Sequence, residues 1–127
     1  MGVRLGIDVI EVAQVAAAID THRDRYLTRV YTQAEVADCR RADGVVDPER
    51  LAARFAAKEA VRKALRCPGG VAWTEVETVR RADGAPQVAL HGATARRARE
   101  QGVGVLSVSL THDAGIAAAV VAGEVVA

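Results

Sequence analysis

Only four aromatic side chains, Tyr26, Tyr31, Phe55 and Trp73, occur in a chain of 127 residues that is half hydrophobic. A core with so few rings has to be assembled from Val, Leu, Ile and Ala, with each ring an isolated bulky piece. Two cysteines, Cys39 and Cys67, are too few for a disulfide framework and lack metal-ligand spacing, so reduced thiols in a cytoplasm are expected. No apolar run reaches the ~20 residues that span a bilayer, and the first residues read as a strand rather than as a signal peptide. Charge bias is missing too. Seventeen Lys and Arg against 16 Asp and Glu leave a net +1, with no global pull toward nucleic acid or membranes. Without repeats, low-complexity tracts or a linker, residues 1–127 are expected to form one domain. Such a domain buries roughly two-thirds of its unfolded-chain surface.

What is present is a series of start and stop signals. Residues 3–12 read as a strand whose alternation puts Leu5, Ile7 and Val9 on one face and Gly6, Asp8 and Ile10 on the other. Residues 15–19 read as a short helix, and 24–31 as another helical turn or two. Thr32-Gln-Ala-Glu35 is a capping box, which predicts a helix to about Arg41. Asp47 as N-cap and Pro48 at the first helical position open a long helix. It carries Leu51, Ala52, Phe55, Ala56 and Ala60 toward the core and ends before Pro68. Residues 75–81 and 86–91 flank an Asp83-Gly84 hairpin turn. An Arg-rich helix over 92–101 follows, then strands over 103–110 and 116–126 joined by 111–115. The fold class is α+β, a mainly antiparallel sheet packed on a long helix.

Asp8 interrupts the apolar run Leu5-Gly-Ile-Asp-Val-Ile10. A carboxylate among aliphatic side chains is costly to ionise without a cation, a donor or a metal. It is either a structural acid or a functional one. Glu11, at the strand's end, reaches solvent or caps the following helix. Glu59 lies one turn before Lys63, a pairing worth only a few tenths of a kcal/mol on an exposed helix. Phe55 precedes Glu59 on the same row and places that acid at the edge of the core. Lys58 and Arg62, one step round, read as solvated. Magnesium prefers one or two carboxylates completed by waters and substrate phosphates, which Asp8 and Glu59 fit, with Lys63 neutralising a phosphate oxygen. His112 and Asp113 fall on the last hairpin turn, where a histidine is placed for ligand contact. His22 and His91 read as surface residues. Gly69-Gly70 lacks a Walker or dinucleotide fingerprint, and Ser107 and Ser109 lack a nucleophile elbow.

Taken together these residues resemble the holo-acyl-carrier-protein synthase family, the small 4′-phosphopantetheinyl transferases. The likeness runs through Gly6-Ile-Asp8-Val-Ile-Glu11, the block from Leu51 to Leu65 containing Arg-Phe-Ala-Ala-Lys-Glu59-Ala-Val-Arg-Lys63, Trp73-Thr-Glu-Val-Glu77, Asp83-Gly-Ala-Pro86, and Val108-Ser-Leu-Thr-His112-Asp. The long-helix block is highly specific; the shorter pieces count because they fall in order and spacing. The resemblance implies the family's fold and transfer of the phosphopantetheine arm of coenzyme A to a serine of an acyl carrier protein of fatty-acid or polyketide type. Adenosine 3′,5′-bisphosphate would leave, in a Mg²⁺-dependent reaction. It also implies a homotrimer with active sites between subunits. Carried over, Asp8 and Glu59 hold Mg²⁺, Lys63 stabilises the phosphate under attack, and Arg54, Pro86 and His112 line the coenzyme A site. His112 would come from the same or the adjacent subunit, and Glu59 or a water beside the ion would be the base. A non-catalytic trimeric module that binds coenzyme A or a carrier is the alternative.

Two departures from the family pattern stand out. A Gly-Thr-Gly-like turn after the signature helix is replaced by Arg66-Cys67-Pro68-Gly69-Gly70. Arginines usual on the first helix give way to Gln14 and alanines, with basic residues later, at Arg23, Arg25 and Arg29. Those three are positioned to steer an acidic carrier.

Overall fold

The computed structural model of the chain describes residues 2–126, which follow the order β1 (Gly2–Glu11), α1 (Val12–His22), α2 (Asp24–Val30), α3 (Gln33–Asp38), α4 (Pro48–Ala64), a 3₁₀ turn (Trp73–Glu75), β2 (Val76–Arg80), β3 (Pro86–Leu90), α5 (Gly92–Glu100), β4 (Val103–Asp113) and β5 (Ile116–Val125). Antiparallel pairing joins β1, β5 and β4 in that order, and β2 with β3. The α+β class and antiparallel pairing expected from sequence are both present. Among the described residues no helix is long and apolar enough to cross a membrane.

α4 is the axis of the molecule. Asp47 accepts from the Glu49 backbone N–H at 2.9 Å, Pro48 follows it, and the helix runs from there to Ala64. Its many alanines let neighbours approach from several sides. Ala52, Ala56, Ala57 and Ala60 are all fully buried, and one side of α4 lies on the inner face of the three-stranded sheet. β1 comes closest at Gly6, where an added Cβ would lie 1.8 Å from the Ala60 carbonyl oxygen. The outer face of the sheet is uncovered within one chain: Val3, Leu5, Ile7 and Val9 are exposed, as are Val105 and Val120.

Several sequence expectations change. The first helix starts at Val12 and ends at His22, longer on both sides than residues 15–19. Glu11 occupies its N-cap position, but the side chain makes no capping bond. The Thr32–Glu35 capping box forms in both directions, yet α3 ends at Asp38 rather than near Arg41. Beyond it the backbone turns into a small loop, with Asp47 N–H donating to the Cys39 carbonyl at 2.8 Å and Arg40 bridging to Val46. β4 reaches Asp113, so His112 is a strand residue, and the turn shrinks to Ala114 and Gly115, both at positive φ (51° and 79°). Phe55 is only half-buried, packing on Trp73 with ring centroids 5.1 Å apart.

The largest correction concerns Lys58, which the sequence reads as solvated and the fold buries completely. Its ammonium donates to Glu35 Oε1 at 2.8 Å, to the Trp73 carbonyl at 3.0 Å and to the Val76 carbonyl. Glu35, itself fully buried, also accepts from the backbone N–H groups of Thr32 and Thr78, each at 3.0 Å. The residues from Trp73 to Thr78 and α3 cover a face of α4 that the helix pattern alone leaves open.

A second polar strap lies beside it. Thr32 Oγ1 donates to Glu77 Oε2 at 2.6 Å, and His91 Nε2 lies 3.0 Å from Glu77 Oε1. The Thr32 hydrogen bond, helped by His91 and opposed by burial, holds the Glu77 carboxyl below its ordinary value of 4.5. A carboxylate depressed by folding adds stability above its unfolded value, and that stability is lost as pH falls through the folded one. Glu77→Gln is therefore expected to lower the urea midpoint at pH 7, with the gap to the parent closing progressively below pH 4.5. A gap of constant size down the acid limb would contradict this.

Candidate active site

The close approach at Gly6 sets β1 against the C-terminal half of α4, and Asp8 follows two residues later on the same inner face. Lys63 Nζ donates to Asp8 Oδ1 at 3.1 Å and to the Ile7 carbonyl at 2.9 Å. One turn earlier on α4, Glu59 Oε2 accepts twice from Arg62, from Nη2 at 2.8 Å and Nε at 3.3 Å. The Glu59–Lys63 pairing that the i, i+4 spacing suggests is thus replaced by two others, Glu59–Arg62 and Asp8–Lys63. The hydrogen bond it donates to Glu59 raises the Arg62 guanidinium above its ordinary value, with further help from the charges of Glu59 and Asp8. Asp8 and Glu59 act on the same cation, although they are 51 positions apart in the chain.

Both acids are mostly buried, each side chain 17% exposed. Each carboxylate also commits one oxygen and, among the described residues, leaves the other without a hydrogen bond: Lys63 holds Asp8 Oδ1, and Arg62 holds Glu59 Oε2. Two free carboxylate oxygens flanked by two cations make a small, electrically balanced site. Hard oxygen donors of this number suit a magnesium-like ion that keeps several waters and shares substrate phosphates, rather than an all-protein cage. Among the described residues no group of three or more His, Cys, Asp or Glu is arranged to hold a metal alone. Beside Lys63, a hollow of about 390 Å³ is lined by Arg62, Lys63, Arg66, Cys67 and Pro68. Arg66 takes a positive φ of 52° there, closing α4 where glycine is usual.

The other residues singled out from sequence lie elsewhere on the chain. Arg54 is buried, turned about 140° around α4 from Glu59 by helical geometry. Its Nη2 lies 3.4 Å from Asp38 Oδ2, while its buried Nε has no partner among the described residues. Arg80 also reaches Asp38, at 3.9 Å, and pairs with Pro86 across the β2–β3 hairpin. His112 lies opposite Ala117, and Asp8 opposite Ala119. With β5 between them, their Cα atoms are roughly 12 Å apart by strand geometry. His112 Nδ1 meets Glu49 Oε2 at 2.9 Å. One chain therefore bonds Asp8 to Lys63, with Glu59 one turn earlier on α4, and holds Arg54 and His112 on other partners, Asp38 and Glu49. The sequence reading missed Arg62, whose signal was its i, i+3 spacing from Glu59.

With this geometry in view, the likeness to known proteins is specific. The sequence pattern of the 4′-phosphopantetheinyl transferase superfamily matches residues 4–121. The chain belongs to that superfamily. The chain is 46% identical over 121 residues to the holo-[acyl-carrier-protein] synthase of Anaeromyxobacter dehalogenans strain 2CP-C, over 92% of this chain and 91% of that protein. Its identity to the holo-[acyl-carrier-protein] synthase of Moorella thermoacetica is 48% over 118 residues, covering 91% and 88%. Among solved structures, Helicobacter pylori holo-[acyl-carrier-protein] synthase in complex with coenzyme A superposes with a TM-score of 0.79 at 26% identity, over 94% of this chain and 99% of that one. As a member of this superfamily the chain is a transferase.

Proposed function

We propose that this transferase moves the 4′-phosphopantetheine group of coenzyme A onto a serine hydroxyl of an apo acyl carrier protein, in the cytoplasm and with Mg²⁺. One observation supports the proposal: Asp8 is bonded to Lys63 and Glu59 to Arg62, both cations of the C-terminal half of α4, and each acid has an oxygen without a hydrogen bond among the described residues. The relatives named holo-[acyl-carrier-protein] synthase and the coenzyme A complex of the Helicobacter pylori protein support the same substrates.

Asp8 and Glu59 would hold the magnesium ion, which when bound would neutralise charge on the diphosphate of coenzyme A. The chain's own part is to position groups and place charge, which dominate phosphoryl transfer. Glu59 Oε1 is the acceptor for the serine proton; each carboxylate oxygen has two lone pairs, so one contact does not exhaust it. The serine oxygen forms a bond to the phosphorus that bears pantetheine, and the bond from that phosphorus to the bridging diphosphate oxygen breaks. Adenosine 3′,5′-bisphosphate leaves with the bonding pair. Lys63, once a ligand draws it from Asp8, places its ammonium on the phosphoryl oxygens as their charge grows.

The reading includes a homotrimer in which Arg54, Pro86 and His112 complete sites between subunits. Support comes from their separation from the acids within one chain and from the aliphatic outer sheet face, of a kind that marks association surfaces. Light scattering should give three times the 13.4 kDa chain mass.

The direct test is mass spectrometry of an apo carrier protein after incubation with the chain, coenzyme A and Mg²⁺. The proposal expects one added phosphopantetheine mass on the carrier serine. An unmodified carrier, across a panel of apo carriers, would leave only a binding module.

A further inference from the structure

The contact between His112 and Glu49 has no part in the chemistry described so far. Glu49 stands in the first turn of α4, where its backbone N–H is taken by Asp47 Oδ1 and the helix terminus favours a negative side chain. Its carboxylate Oε2 lies 2.9 Å from His112 Nδ1, near the end of β4. Both side chains are about half exposed, so the pair lies where a ligand can reach the ring.

We propose that Glu49 is the positioning residue for His112: it accepts the Nδ1–H, fixes the ring plane and tautomer, and turns Nε2 outward toward an anionic group of the nucleotide. This rests on the reading of His112 as part of the coenzyme A site, on its own or a neighbouring subunit. A histidine ring left free chooses between two tautomers and several orientations; a carboxylate on one nitrogen removes that freedom. When Nε2 also donates to a phosphate oxygen the ring carries a positive charge, and the Glu49 carboxylate balances it. The other groups of the site do not duplicate this. Lys63 and Arg62 are at the far end of α4, about 20 Å along the helix from Glu49 by helical rise. Glu49 acts only through the ring and touches neither the transferred phosphate nor the carrier serine.

The role separates coenzyme A binding from the chemical step. Glu49→Ala is expected to raise KM for coenzyme A about tenfold, the effect of losing one hydrogen bond to a charged group, with kcat within twofold of the parent. Glu49→Gln, whose amide oxygen still accepts from Nδ1–H, should recover part of the loss. Long-range ¹H–¹⁵N spectra of the ring, assigned with His112→Gln, give a readout independent of turnover. They should report a protonated Nδ1 in the parent and in Glu49→Gln, and its loss in Glu49→Ala. An unchanged tautomer in Glu49→Ala would overturn the positioning role, whatever the kinetics. A changed tautomer with unchanged KM would overturn the coenzyme A reading of His112 instead.

Discussion

Lys58→Met is expected to lower the unfolding free energy by about 3–5 kcal/mol, measured as the urea midpoint at neutral pH. Lys58 and Glu35 are both fully buried, and every ammonium N–H of Lys58 is used: on Glu35, on the Trp73 carbonyl and on the Val76 carbonyl. Burial pulls the Lys58 ammonium below its ordinary value, with Glu35 opposing the shift. Such a pair adds little net stability over a well-packed apolar substitute, because desolvation offsets its attraction. Removing one member is a different matter. Glu35 would be left in the interior without a cation, with only the Thr32 and Thr78 N–H groups against it. The predicted loss is a large fraction of the 5–15 kcal/mol that holds a typical domain together. Adding Glu35→Gln to Lys58→Met should restore a substantial part of the stability. If the double variant were less stable than the single one by the same increment again, the buried-charge explanation would be wrong. Per folded molecule, Lys58→Met should keep its activity, since the ammonium faces Glu35 and backbone carbonyls rather than the site.

Gly6→Ala is expected to damage folding and chemistry together. The added Cβ would meet the Ala60 carbonyl oxygen at 1.8 Å, its carbon at 2.7 Å and the Ala64 nitrogen at 3.0 Å. These are backbone atoms of α4, so no rotamer change removes the clash. β1 has to move away from the helix, and Asp8 moves with it, away from Glu59 and Lys63. Overpacking typically costs about 1–3 kcal/mol, and a rigid backbone contact belongs at or above the upper end. A displacement of about 1 Å at reacting groups costs on the order of a hundredfold in rate. Thermal unfolding and transfer assays below the variant's melting point separate the two effects. A variant with parental stability and activity would contradict the packing of β1 on α4.

The signals that were legible in the sequence are those that act within a few residues. The Thr32–Glu35 box, Asp47-Pro48 and Asp83-Gly84 each satisfy or redirect backbone groups locally, and each appears in the fold where expected. The alternation in β1 identified Gly6, Asp8 and Ile10 as one face. The pairing of Asp8, Glu59 and Lys63 came from a family resemblance together with the cost of an acid in an apolar strand. The misreadings depend on what covers a residue from far away. Lys58 reads as solvated until α3 and the residues from Trp73 to Thr78 close over it. Lys63 prefers Asp8, 55 positions distant, to its helical neighbour Glu59. Glu35 looked fully explained by its capping role, which concealed its second partner, Lys58.

The central claim is that Asp8 and Glu59 serve one site. A double-mutant cycle on the rate of carrier modification tests it most directly, using Asp8→Asn, Glu59→Gln and both together. Groups that act as a unit are strongly non-additive. The double variant should therefore be about as slow as the slower single one. Rate losses that simply multiply would place the two acids in independent roles and contradict the account.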